Sequence, residues 1–119
     1  MPGKPINGSC VRLAPPVIAG RIGIAEGIET ALCASELFGM PVWAAISAGG
    51  LVSWDPPEFI RSVVIFGDND ATYTGQASAY TLARRLSLAG LEVTVEIPEV
   101  KGADWCDVFT TSKPNVVNV

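Results

Sequence analysis

Two kinds of hydrophobic pattern alternate along the chain. Residues 21–25 (RIGIA) form a short apolar run that stops at Glu26-Gly27. In the next segment Ile28, Ala31, Leu32, Ser35 and Phe38 recur at helical spacing, until Gly39 and Pro41 end the pattern. Residues 42–46 (VWAAI) predict a second strand, closed by Ser47-Ala48-Gly49-Gly50. Residues 62–66 (SVVIF) predict a third, whose β-branched run suits a strand covered on both faces. From about Gly75 to Ala89 the spacing predicts a helix with Ala79, Leu82, Ala83 and Leu86 turned inward and Gly90 just past its end. Residues 91–98 (LEVTVEIP) alternate apolar and polar, as an edge strand with one exposed face does, and a last short helix starts near Asp104. The order strand, helix, strand, loop, strand, helix, strand, helix calls for an α/β fold: a parallel four-stranded sheet with helices on both faces.

Composition narrows the picture. At 119 residues, 49% hydrophobic and 17% charged, the chain has the make-up of one globular domain with a single core. Twelve acidic against eight basic residues leave a net charge of −4, which argues against a free-standing nucleic-acid clamp that works by neutralising phosphates. Cys10, Cys33 and Cys106 are odd in number and widely spaced, so neither a zinc ribbon nor a disulfide framework is expected, and a reducing compartment fits best. The opening MPGKPINGSCVRLAPP lacks a signal peptide's apolar core. The uncharged residues 37–54 are interrupted by Gly39, Pro41 and Gly49-Gly50, so no membrane span is expected there and the location expected is cytoplasmic.

The polar residues fall on that scaffold at one place. Glu26 follows the first strand, Ser47 the second, Asp68 and Asp70 the third, and the segment EVKGADWCD the fourth. All lie at the carboxyl ends of parallel strands, where open α/β sheets build their ligand sites. Carboxylates gathered at such an edge cannot all stay ionised in isolation, and must share protons or bind a cation. With no histidine in the chain and no paired cysteines, the donors are oxygens, which favour Mg²⁺, with Mn²⁺ as substitute. An acidic site can then hold a polyanion through its metal.

The stretches IAEGIETALCA, VVIFGDNDATYTGQASAYTLARRL and GADWCDV together resemble the Toprim domain, the module shared by bacterial-type primases, type IA and type II topoisomerases and some nucleases. The likeness is closest to the Toprim domains of phage and plasmid primases and primase-helicases, and it spans residues 10 to 110. It implies a Rossmann-like sheet, a single domain over residues 1–119, Glu26 as general acid or base, and Asp68 and Asp70 as metal ligands in phosphodiester chemistry. Glu26 could also complete the metal cage, with Glu29, Asp104 and Asp107 as further candidates. Thr30 stands where cellular primases usually carry an aspartate, and Trp105-Cys106 widens the third acidic motif by one residue. The expected activity is Mg²⁺-dependent nucleotidyl transfer in DNA replication, on a DNA template and nucleotides. The opening stretch reads as the tail of a preceding region, so the chain is expected to be a piece of a longer protein whose other domains include a zinc-binding or helicase domain.

Each assignment has a structural rival. Glu26 and Glu29 could serve only the N-terminal end of a helix. Asp68 and Asp70 could be turn residues, and Asp104 with Asp107 could form a capping box. Ser47, Gly49 and Gly50 read as a tight turn or as a place where backbone N–H groups approach a phosphate. Lys101 reads as a phosphate contact or a solvated lysine. Tyr73 and Tyr80 are assigned no catalysis, Arg84 and Arg85 are placed on an exposed helix face, and Trp43, Trp54 and Trp105 in packing. Two other functions remain open: a Toprim nuclease or non-catalytic metal- and nucleic-acid-binding module, and a haloacid-dehalogenase-type phosphatase, whose D-x-D-x-T signature is met by Asp68, Asp70 and Thr72.

Overall fold

The computed structural model describes Val11 and residues 20–112. Cys10, and the opening stretch apart from Val11, lie outside the described residues. The elements run β1 (Arg21–Ala25), α1 (Ile28–Phe38), β2 (Val42–Ala44), α2 (Ala48–Ser53), β3 (Ser62–Phe66), α3 (Thr74–Leu88), β4 (Glu92–Glu96) and α4 (Trp105–Ser112). The strands form one sheet in the order β2-β1-β3-β4, and every neighbouring pair is parallel. Ala25 is in register with Ala44 on one side and Phe66 on the other, and Phe66 with Glu96. All four strands therefore end level, and the residues that follow them emerge along a single edge.

Crossover handedness distributes the helices. Moving from β1 to β2 and from β3 to β4 carries the chain in opposite directions along the sheet, so right-handed crossovers put α1 and α3 on opposite faces. The β2 to β3 crossover runs the same way as β3 to β4 and places α2 beside α3. The strands alternate accordingly. Ile22, Ile24, Trp43, Val63 and Ile65 pack with Leu51, Leu82 and Leu86 on one face, whereas Ala25, Val42, Ala44, Val64 and Phe66 pack with Ala31, Ala34 and Trp105 on the other. Gly23 leaves room on that second face, since a Cβ there would stand 2.8 Å from both the Phe66 ring and Val42. β4 carries an outer row of exposed residues, as its alternation predicts, while Val11 forms an antiparallel bridge to Ala44 at the opposite edge.

Several details depart from the sequence reading. The second strand stops at Ala44, and residues 47–50 do not make a simple turn: Ser47 caps the short α2, its hydroxyl accepting the Gly50 N–H at 3.0 Å. In α1 the inward stripe is Ala31 and Ala34, while Ile28 and Leu32 are exposed, because only small side chains fit between the helix and the sheet at that height. Arg85 does not merely line an exposed face. Its guanidinium donates to the carbonyls of Val52 and Trp54 and pairs with Asp55 at 2.7 Å, tying α3 to the chain leaving α2.

The expectation of unpaired cysteines is also corrected. Cys33 on α1 and Cys106 on α4 form a disulfide, with Cα atoms 5.2 Å apart and a sequence separation of 73. Sequence spacing could not show this, since the pair meets only after α1 and α4 share a face of the sheet. Beside it, Phe38, Phe66 and Trp105 make an edge-to-face triad with centroids 4.8 to 5.9 Å apart, joining α1, β3 and α4. Reduction of the disulfide, which frees a long loop in the unfolded chain, should lower unfolding free energy by about 2–4 kcal/mol. Urea unfolding with and without a dithiol measures the difference, and equal midpoints would show that the cross-link contributes nothing.

Candidate metal centre at the carboxyl edge of the sheet

β1 and β3 are neighbours whose chains leave toward opposite faces, and that divergence opens a notch between their ends. Glu26 stands just beyond β1 and Asp68 two residues beyond β3, both half-buried. Asp68 is the electrostatic centre. Its carboxyl is pushed from 3.8 up to about 6 by desolvation first, then by the negative charges of Asp104, Asp70 and Glu26, with a backbone N–H from Trp105 acting in the opposite sense. Its Oδ1 is buried and has no hydrogen-bond partner among the described residues. The fold thus brings Asp104, Asp70 and Glu26 each within electrostatic range of Asp68. Glu29 and Asp107 are exposed and do not figure among the charges that raise Asp68.

Local structure fixes the aspartates. Asp70 Oδ2 accepts the Gly75 N–H at 2.8 Å in the first turn of α3, and a Cβ on Gly75 would fall 2.8 Å from that oxygen and 3.0 Å from the Asp68 carbonyl. Gly75 is buried and lets the helix start directly against the acidic loop. Asn69, between the two aspartates, is a knot. Its N–H donates to the Ala103 carbonyl, its carbonyl accepts the Gly102 N–H, and its side-chain amide donates to the Pro98 carbonyl at 2.8 Å. Gln76 then donates to Asn69 Oδ1 at 3.0 Å and to the Asp70 carbonyl at 3.2 Å, while its own Oε1 is buried without a partner among the described residues. Sequence reasoning missed Asn69, Gln76 and Gly75. A signal existed for Gln76, a polar residue on the inward stripe that continues through Ala79, Ala83 and Leu86.

The remaining candidates have structural employment. Asp104 Oδ1 accepts the Asp107 N–H at 2.7 Å and Asp107 Oδ2 accepts the Asp104 N–H at 3.0 Å, a reciprocal capping box opening α4. Ser47 Oγ and the Gly50 N–H satisfy each other, and Gly50 is buried, a Cβ there meeting the Ala45 carbonyl at 2.5 Å. Gly49 is exposed. The Lys101 ammonium lies 3.5 Å from the centroid of the Tyr73 ring, and its hydrogen bond and charge hold the Tyr73 hydroxyl below its ordinary pKa. Two non-glycine residues in left-handed conformation, Ile46 and Tyr73, sit at this edge. The Ile46 N–H donates to the Glu26 carbonyl, so the strained position helps seat the glutamate's backbone.

Among the described residues no three Asp, Glu or Cys side chains stand close enough to enclose an ion by themselves. The donor chemistry nevertheless suits Mg²⁺. That ion keeps several waters and takes one or two carboxylates plus phosphate oxygens rather than a closed protein cage. A buried carboxylate oxygen without a partner, facing three further negative charges, is a place where a cation removes both costs at once.

An all-parallel sheet with carboxylates at its switch point defines the class: an α/β domain whose candidate site lies at the carboxyl edge of the sheet. The Toprim-domain family model matches residues 21–113, most of the chain, and the protein belongs to that family. No curated protein and no solved structure matches the chain. Toprim domains are metal-binding, typically catalytic modules of nucleic-acid processing, and this chain is one of them. The phosphatase alternative leaves the Glu26 charge beside Asp68 without a role, and the family match lends it no support. No described helix is long and apolar enough to cross a membrane.

Two outcomes follow. Between pH 4 and pH 6 the folded chain holds a proton on Asp68 that the unfolded chain has released, so this group's contribution to stability falls as pH rises through that window. Asp68→Asn should therefore be more stable than wild type at pH 7 by about 1 kcal/mol, the full linkage being reduced by half exposure, and the advantage should vanish toward pH 4. Urea melts of both proteins across that range measure it; a less stable variant at pH 7 would contradict the assignment. Gly75→Ala improves intrinsic helix propensity by up to about 1 kcal/mol. Because its methyl group collides with Asp70 and the Asp68 backbone, it should instead destabilise by about 1–3 kcal/mol, as overpacking does. A gain in stability would show that the loop yields easily.

Proposed function

We propose that this domain is the catalytic centre of a primase-type protein, carrying out Mg²⁺-dependent nucleotidyl transfer on a DNA template during primer synthesis. The observation that carries the reading is the half-buried Asp68, with its partnerless Oδ1 and the charges of Asp104, Asp70 and Glu26 around it. Asp68 and Asp70 would hold the ion, with Asp104 adding charge from the side of α4. Bound there, Mg²⁺ supplies neutralisation of phosphate oxygens and a lowered pKa for an attacking hydroxyl. Glu26 reaches the notch from β1 and is suited to take up the hydroxyl proton. The Gly75 N–H fixes the rotamer of Asp70, and Asn69 with Gln76 holds the backbone between the two aspartates. Chemistry of this kind depends on positioning and charge more than on a special nucleophile, and a site made only of carboxylates is adequate to it.

A net charge of −4 leaves the domain without the electrostatics to retain DNA alone. Template and nucleotides are therefore held by other parts of the parent protein, such as a zinc-binding or helicase domain. A second reading, a metal-binding module without catalysis, draws on the capping box that occupies Asp104 and Asp107 and on the absence of a three-donor group among the described residues. The same chemistry run as hydrolysis would make the parent a nuclease.

Mn²⁺ titrated into isotopically labelled protein should broaden signals of residues around 26, 68–70 and 104. The Asp68→Asn/Asp70→Asn variant should lose that broadening. In the intact protein, Glu26→Gln should lower Mg²⁺-dependent primer synthesis by about 10²-fold or more without loss of folding. Localised broadening with wild-type activity in Glu26→Gln would favour the non-catalytic module, and strand cleavage in place of synthesis the nuclease.

A further inference from the structure

We propose that Cys33 and Cys106 form a redox-modification site, taking a dithiol as its reductant, whose state sets how the first turn of α4 seats against Asp68 and thereby how strongly the carboxylate cluster holds a divalent cation. The second half of this inference rests on the metal-centre reading given above; the first does not.

The geometry is specific. Cys106 is flanked by Trp105, whose indole N–H donates to the Glu96 carbonyl at 3.3 Å, and it lies between Asp104 and Asp107, whose reciprocal bonds open α4, while Ala103 just ahead of that turn accepts the Asn69 N–H from the loop that carries Asp68. Asp104 is also the charge that acts most on Asp68. The disulfide fastens this turn to the middle of α1, the helix that follows Glu26. One covalent link therefore joins the helix that follows Glu26 to the helix that Asp104 caps. Both cysteines are half-buried, so a small dithiol can reach the sulfurs. Cys106 Sγ lies 3.2 Å from the Glu29 carbonyl, an acceptor for the thiol once the bond is open, so both redox states have a place for the sulfur.

The exchange balances without further reagents. A thiolate of the dithiol attacks one sulfur of the Cys33–Cys106 bond, forming a mixed disulfide and releasing the other cysteine. The second thiol of the reagent then displaces the first cysteine. Two electrons and two protons pass to the protein, and the dithiol leaves as a disulfide. With the link open, α4 is still held by Trp105 against Phe38 and Phe66, so the change is a reseating of its first turn rather than a loss of the helix. The Asp104 charge then no longer has a covalently imposed position relative to Asp68.

The test uses the full chain with Cys10→Ser, which removes the third thiol, in oxidised form, after dithiothreitol reduction, and as Cys33→Ser/Cys106→Ser. Thiol titration confirms two free thiols on reduction and none before it. Backbone amide spectra without metal should show Asp68, Asp104 and Trp105 displaced in the reduced and doubly substituted chains relative to the oxidised one. Unchanged signals at those residues overturn the proposal, leaving the disulfide as a staple. Mn²⁺ affinity should fall by about fivefold or more on reduction, the lower end of coupling between linked sites. By reciprocity, saturating Mn²⁺ should shift the dithiol–disulfide equilibrium toward the disulfide by the same factor. Equal or tighter Mn²⁺ binding by the reduced chain overturns the link to the metal. If no form binds Mn²⁺ the metal-centre reading itself fails, and the metal-free amide spectra still decide whether the disulfide seats the turn.

Discussion

Two adjacent parallel strands that send their chains to opposite faces of a sheet cannot both be covered by the same helix, and the unfilled notch at their ends governs everything else in this molecule. The order β2-β1-β3-β4 places that notch between Glu26 and Asp68. Right-handed crossovers then leave no freedom in the layers: α1 on one face, α2 and α3 on the other. Level strand ends, with Ala44, Ala25, Phe66 and Glu96 in one row, bring the loops to the same height. The carboxylates meet because the sheet requires it, and not through attraction among themselves, which their charges oppose.

That opposition has to be offset elsewhere. Asp68 is desolvated beside three like charges, a state that raises its pKa and works against folding at neutral pH. The loop that carries it is pinned from two directions: by Asn69 to residues 98–103, and by Gln76 and Gly75 to the start of α3. Below it, Phe38, Phe66 and Trp105 lock β3 to both helices of that face. Apolar packing and hydrogen bonds thus hold in place a group of charges that would otherwise separate. A site whose own electrostatics favour disassembly, supported by a rigid surround, is the arrangement expected where a cation or a proton completes the set.

Much of this was legible from the chain alone. Strands with near-continuous β-branched residues, helices at 3.6-residue spacing and acidic residues at three of the four strand ends led to the fold, the sheet edge and the placing of Glu26, Asp68 and Asp70 along it. What escaped notice shares one cause: it depends on which distant residues touch. The rotation of α1 that exposes Ile28 and Leu32 is set by the depth of the sheet surface, not by the helix's own periodicity. Cys33 and Cys106 are remote in sequence and meet across two helices. The Asn69 knot uses backbone groups of residues 98–103, which no side-chain pattern reveals. Arg85, placed on the surface by spacing, finds its partners in a loop thirty residues away.

The acidic residues divide by what carries them. Glu26 follows β1 directly and Asp68 and Asp70 sit in the loop after β3, so sheet register together with the Asn69 and Gly75 hydrogen bonds sets their places. Asp104 caps the start of α4, a helix positioned by an aromatic contact and a disulfide rather than by the sheet. Glu29 and Asp107 are exposed and stand apart from the charges around Asp68. A centre built this way has a fixed side and an adjustable side. For a divalent ion held as proposed above, which needs only one or two protein carboxylates, such asymmetry would have a physical use: the loop carboxylates would set its place, and the helix-borne charge would tune how tightly it is held.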